Sequence, residues 1–121
     1  MSEPMPGQFD PVLHSGPRIT IMSRLVIRQH MRFSALQKST TLTAGNLSAH
    51  LDVLAKAGYV VQEVDERKVE RRKTVRITPA GDAAFRAYVA QVRAVLGEVQ
   101  ASLDAPAAVN EPRLSGDGRS G

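Results

Sequence analysis

The range 42–79 constrains the fold most, because its apolar periodicity changes once along its length. Leu47, Leu51 and Leu54 recur at i, i+4 and i+7, which is the spacing of an amphipathic helix. Residues 74–78 alternate between polar and apolar instead, as a half-buried strand does. The pattern therefore predicts a helix that is followed by an antiparallel hairpin.

Local signals predict where this helix and its neighbours begin and end. Thr43 is placed to cap the helix, and Gly58 follows where a glycine commonly ends one. Thr78 and Pro79 form a second cap and first-turn pair, which opens a long final helix. The predicted helices are Pro17–Gln29, Phe33–Ser39, one that starts after Thr43, and Pro79–Leu103; the predicted strands are Tyr59–Val64 and Thr74–Thr78.

The order of these elements predicts an α+β fold: a winged helix-turn-helix with a two-stranded β-hairpin wing and a long C-terminal dimerisation helix. The length of 121 residues suits a single small domain. The predicted organisation is an N-terminal arm, partly irregular, over 1–16; a DNA-binding domain over 17–78; the C-terminal dimerisation helix over 79–103; and a disordered tail over 104–121.

Positive charge is concentrated in one part of the chain. The net charge is +4, but the segment 17–77 carries 12 lysines and arginines against 5 acidic residues, a balance of +7. The remaining residues sum to −3. A basic module between mildly acidic ends is typical of a surface that binds a polyanion.

The amino-terminal half of the predicted third helix is the first candidate DNA surface. Small and polar side chains there allow close approach to a major groove that is about 12 Å wide. An asparagine can bond adenine through two hydrogen bonds, while hydroxyl groups and a histidine suit phosphates or base edges. A solvated face without a ligand is the alternative. The candidate residues are Thr43, Ala44, Gly45, Asn46, Ser48 and His50.

The hairpin tip, EVDERKVERRKTVR, is the second candidate DNA surface. Its basic residues are too closely spaced for strand alternation to bury them, and a protruding hairpin can reach a minor groove or a phosphate. Interleaved acidic residues can pair some of these cations locally. The candidates are Arg67, Lys68, Arg71, Arg72 and Lys73, with Arg76 at the end of the run.

The final helix carries apolar residues at alternating spacings of four and three, the pattern of a coiled-coil seam. At about 1.5 Å per residue the helix would be roughly 37 Å long, which exceeds the reach of three short helices. We therefore predict a homodimer interface; packing against the chain's own core is the alternative. The seam residues are Phe85, Val89, Val92, Leu96, Val99 and Leu103.

Signatures of other function classes fail on residue type or spacing. The chain has no cysteine, and its three histidines form no i, i+4 pair, so neither a metal site nor a cofactor is predicted. No nucleophile has a base at a suitable spacing, which argues against an enzyme. No apolar run is long enough for a membrane span, and no signal peptide is recognisable, so the prediction is a cytoplasmic protein.

Three segments resemble the compact winged-helix transcription regulators of the MarR-like and ArsR-like class: FDPVLHSGPRITIM, LTAGNLSAHLDVLAKAGYV and VRITPAGDAAFRAYV. The resemblance spans about Phe9 to Leu103. It implies that the third helix faces DNA, that Gly58 turns the chain into the wing, and that the final helix pairs with a second subunit. Wings of the family commonly carry a glycine near the tip, which RKVERRK lacks.

The resemblance also implies repression by promoter occlusion. Some members respond to a small-molecule effector held between the dimerisation helices and the winged core; such an effector is a further candidate partner here, although no ligand signature is visible in the sequence. The expected partners are double-stranded DNA, in the form of a near-palindromic operator, and a second copy of the chain. A winged-helix adaptor that binds protein rather than specific DNA is the alternative function, since fold does not fix function.

Overall fold

A computed structural model describes residues 8–65 and 72–105, and it confirms the predicted α+β winged-helix architecture with a long C-terminal helix. Within these ranges four helices accompany a three-stranded antiparallel sheet of order β1-β3-β2. The wing candidates Arg67, Lys68 and Arg71 lie outside the described residues. The elements are α1 (Gly16–Arg28), β1 (His30–Arg32), α2 (Phe33–Thr40), α3 (Ala44–Lys56), β2 (Val60–Asp65), β3 (Arg72–Ile77) and α4 (Pro79–Asp104).

The strand β1 was not predicted from the sequence, which indicated only the two strands of the hairpin. It pairs with β3 in a register that sets His30 opposite Arg76 and Arg32 opposite Thr74. Gln29 has a φ of 73°, which reverses the chain after α1, and its carbonyl accepts a 3.0 Å hydrogen bond from the amide of Ile77. Three residues are too few to show an alternating pattern, so only the distant partner strand reveals this one.

The core is formed where the apolar faces of three helices meet the sheet. Each buried aliphatic side chain contributes about 1.5–3 kcal/mol relative to an exposed one, so this cluster supplies the main stabilisation. The pairing Val60↔Ile77 brings β2 and β3 into the same core. The core side chains from these elements, none more than 4% exposed, are Ile21, Met22, Leu25, Leu36, Leu47, Leu51, Leu54, Val60, Val75 and Ile77.

The described part of the N-terminal arm packs onto this core. Leu13 is fully buried, and the hydroxyl of Tyr59 donates a hydrogen bond to the Asp10 carboxylate. Burial, together with that bond and the carboxylate charge, raises the pKa of Tyr59 to about 12, so the phenol keeps its proton. The His14 ring stacks on Phe9 and lies 2.8 Å from the hydroxyl oxygen of Tyr88. The end of the arm is therefore part of the folded unit.

Hydrogen bonds connect the start of α4 to the turn between α3 and β2. The Thr78 hydroxyl accepts from the amide of Gly81 at 2.9 Å and donates to the carbonyl of Gly58 at 2.6 Å. The amide of Thr78 donates to the carbonyl of Tyr59 at 3.0 Å. Gly81 is buried against that same carbonyl, so closely that a Cβ added to it would lie 2.1 Å from the oxygen. Only glycine fits at this position.

The compact unit extends to Val89, and the rest of α4, from Ala90, belongs to a second unit. Among the helices in the described ranges, none is both long and apolar enough to cross a bilayer.

Candidate nucleic-acid interface

The α2–α3 connection presents the start of α3. Thr41 ends α2 in the left-handed conformation, with a φ of 59°, and the next helix begins only three residues later. The Thr43 hydroxyl caps α3 by accepting from the amide of Asn46 at 3.1 Å, as the sequence predicts. The first turn contains no acidic residue, so the partial positive charge of the helix N-terminus is left for an anion.

The two faces of α3 differ as its sequence pattern predicts. Leu47, Leu51 and Leu54 are fully buried. The predicted contact residues lie outside this buried stripe, and the Asn46 side chain makes no hydrogen bond within the part of the chain that the structure describes. Thr43, Ala44, Gly45 and Asn46 are exposed, whereas Ser48 and His50 are half-buried.

His50 has a partner that the sequence did not reveal. The Nη1 of Arg18 lies 3.0 Å from the Nδ1 of His50, and because a guanidinium can only donate, Nδ1 must be the acceptor. The ring proton is then on Nε2, which is the nitrogen able to donate to a phosphate. Arg18 is itself fixed by a 2.6 Å bond from its Nε to the carbonyl of Val12. These partners are far apart in sequence, so no local signal identifies Arg18 as the neighbour of His50.

The described part of the wing shows two basic side chains with local partners. The Nζ of Lys73 lies 4.9 Å from the centre of the Phe33 ring, close enough for a cation–π contact. Arg76 forms a 2.9 Å ion pair with Glu63 across the hairpin, in line with the local pairing that the interleaved acids suggested. Of the other candidates, Arg72 opens β3.

The predicted seam on α4 divides into buried and exposed parts. Phe85 is 4% exposed and stacks on Tyr88 with 6.2 Å between ring centres, so it packs in the chain's own core, the alternative that the sequence left open. Val92 is half-buried. Among the other seam residues, exposure reaches 57% at Leu96 and 72% at Leu103. The seam residues that stay at least partly exposed in the single chain are Val89, Val92, Leu96, Val99 and Leu103.

Residues 18–96 match the family model of the winged helix DNA-binding domain. An uncharacterized protein of Methanocaldococcus jannaschii is 28% identical over 81 residues, which cover 67% of this chain and 88% of that protein. The range that matches the family model contains α3, the sheet and most of α4.

Two solved structures have the same fold. A transcriptional regulator homologue from Pyrococcus horikoshii OT3 superposes with a TM-score of 0.70 at 31% identity, covering 78% of this chain and 89% of its own. A MarR-family transcriptional regulator from Enterococcus faecalis V583 superposes with a TM-score of 0.67 at 19% identity, covering 78% and 84% of the two chains. The second similarity is one of fold alone.

Proposed function

Since the chain belongs to the winged helix DNA-binding domain family and is a DNA-binding transcriptional regulator, we propose that it is a repressor that binds a near-palindromic operator as a homodimer. The observation that carries the proposal is the capped start of α3, where small and polar side chains lie exposed above a buried leucine face. A helix with this division of residues can enter a major groove while its other face stays in the core.

The homodimer is supported by the exposed apolar residues of α4. Leu96, Val99 and Leu103 follow heptad spacing and are open to solvent in the single chain. Pairing α4 with a second copy would cover them. A two-fold dimer presents two copies of α3, which suits half-sites about one helical turn, roughly 34 Å, apart on one face of DNA. A dimer bound to such a site would occlude a promoter. We expect the protein to act in the cytoplasm.

Asn46→Ala is expected to relax discrimination at one base position of the operator. The side chain is exposed and only its backbone amide takes part in the helix cap, so folding should be unaffected. A lost bidentate contact with adenine costs about 1–3 kcal/mol of discrimination. Competition binding with every single-base variant of the site would measure it. Equal weakening on all sequences would instead make Asn46 a backbone contact.

Arg71→Ala and Arg72→Ala are each expected to weaken binding to all DNA sequences and to reduce the slope of log K against log salt. Each phosphate contact contributes about one unit of slope, because binding releases counterions. Binding measured at several salt concentrations gives the slope. The control is Arg93→Ala, which removes an exposed cation from α4 and should leave the slope unchanged. An unaltered slope for a wing variant would remove that residue from the DNA interface.

Selection of bound sequences from a random duplex pool tests the function most directly. Enriched near-palindromes with half-sites one turn apart would support the proposal. The alternative, a winged-helix adaptor for a protein partner, predicts no enrichment and no strongly salt-sensitive binding to DNA.

A further inference from the structure

A cleft of about 470 Å³ lies between the second half of α1, the strand β1 and α2. Its volume is within the range of small-molecule sites, roughly 300–1,000 Å³. No residue that lines it belongs to α3 or α4, so it is distinct from the proposed DNA surface and from the seam. Its walls combine three cations, Arg24, Arg28 and Lys38, with three apolar residues, Ile27, Met31 and Ala35.

The three cations have no carboxylate partner within the described ranges. Arg24 is held in place by neutral groups: its Nε donates to the Ser39 hydroxyl at 2.7 Å, and its Nη1 donates to the Ser23 hydroxyl at 3.0 Å. Arg28 follows Arg24 by four residues, so the two like charges share one face of α1. An anion in the cleft would relieve this repulsion.

The apolar residues narrow the class of anion. Ile27 is 79% exposed, the most exposed large apolar side chain in the described part of the chain, and the half-buried Met31 also lines the cleft. Inorganic phosphate or a DNA phosphate would satisfy the cations but would leave Ile27 in water. A ligand with an acidic group on an apolar body would satisfy both, gaining about 25 cal/mol for each Å² of apolar surface covered.

We propose that the α1–α2 cleft binds a small amphipathic organic anion, a carboxylate or sulfonate on an aromatic or aliphatic body. The acidic group lies against Arg24, Arg28 and Lys38, while the body covers Ile27 and Met31. This site does not depend on DNA binding, and the proposal stands or falls separately from the function as a regulator.

Two probes test the site on the full chain: 1-anilinonaphthalene-8-sulfonate, which fluoresces when bound, and octanoate as its competitor. We expect saturable binding of the dye, displacement by octanoate, and much weaker displacement by 1-octanol or inorganic phosphate. The amide signals of Ala35 and Ser39 should shift in heteronuclear NMR spectra, whereas that of Val99 should not. Shifts confined to α4 would overturn the proposal, because the dye would then report the exposed seam.

The variant pair for the same titration is Arg28→Gln with Lys38→Gln, against Lys56→Gln with Arg93→Gln. Both pairs remove two exposed cations, but only the first pair lines the cleft. We expect at least a tenfold loss of octanoate affinity for the first pair and none for the second, with both folded by circular dichroism. Equal losses of octanoate affinity in the two pairs would mean that net charge alone attracts the probe. If phosphate displaced the dye as strongly as octanoate does, the proposed apolar contacts with Ile27 and Met31 would be rejected.

Discussion

Gly81→Ala is expected to destabilise the protein by about 3 kcal/mol or more, because the added methyl group would meet backbone rather than a flexible side chain. The new Cβ would lie 2.1 Å from the carbonyl oxygen of Tyr59 and 2.8 Å from its carbonyl carbon. To make room, α4 or the turn before β2 must move, which strains the bonds from Thr78 to Tyr59 and Gly58. For a chain of this size the midpoint temperature of thermal unfolding should decrease by about 10 °C.

Gly97→Ala is the matched control for this substitution. Gly97 lies within the same helix, and a Cβ there would meet no heavy atom within 4 Å. Replacing glycine with alanine in an open helical position stabilises the helix by about 0.5–1 kcal/mol. Circular dichroism during heating and urea titration measures both variants. A stable Gly81→Ala protein would show that α4 does not pack on Tyr59 as described.

Leu96→Glu with Val99→Glu is expected to convert the proposed homodimer into monomers and to weaken operator binding at least a hundredfold. The seam is symmetric, so two substitutions place four carboxylates in the interface. Each carboxylate would lose its hydration without gaining a partner. It would also replace an apolar side chain whose burial contributes about 1.5–3 kcal/mol. Light scattering after size-exclusion chromatography measures the mass, and a gel shift with the selected operator measures the affinity.

Ala94→Glu with Ala101→Glu makes the same charge change on the outer face of α4. Both alanines are exposed and lie opposite the seam in the heptad. This variant should remain dimeric and should bind the operator nearly as well as the unaltered protein. An unaltered protein that is already a monomer at micromolar concentration would reject the homodimer, as would equal dissociation of the two variants.

Features with a local signal could be predicted from the sequence. The caps at Thr43 and Thr78 depend on bonds to an amide three residues ahead, and the structure contains both. These caps mark the starts of α3 and α4. The hairpin was predictable because polar and apolar residues alternate over 74–78. The exposed and buried faces of α3 were predictable because Leu47, Leu51 and Leu54 repeat within one helix.

The features that escaped prediction depend on partners distant in sequence. β1 exists because it pairs with β3, and the Arg18–His50 contact joins residues 32 positions apart. The close approach of Gly81 to Tyr59 is equally invisible in a helix pattern. Phe85 shows a different difficulty, because a heptad position has the same residue type whether it packs in the core or against a partner.

The contacts of Tyr59 limit how α3, the helix proposed to contact DNA, can be exchanged with that of another protein. Tyr59 follows α3 almost directly, and it bonds Asp10 through its hydroxyl and Thr78 through its carbonyl. A transplanted α3 would therefore need its own arm and α4 start to fold around it. Redesign of DNA preference is better confined to the exposed positions around Asn46, leaving His50 in place because Arg18 binds it. The exposed positions of α3 can be substituted one by one, but the whole helix cannot be exchanged without the arm and the start of α4, which Tyr59 contacts.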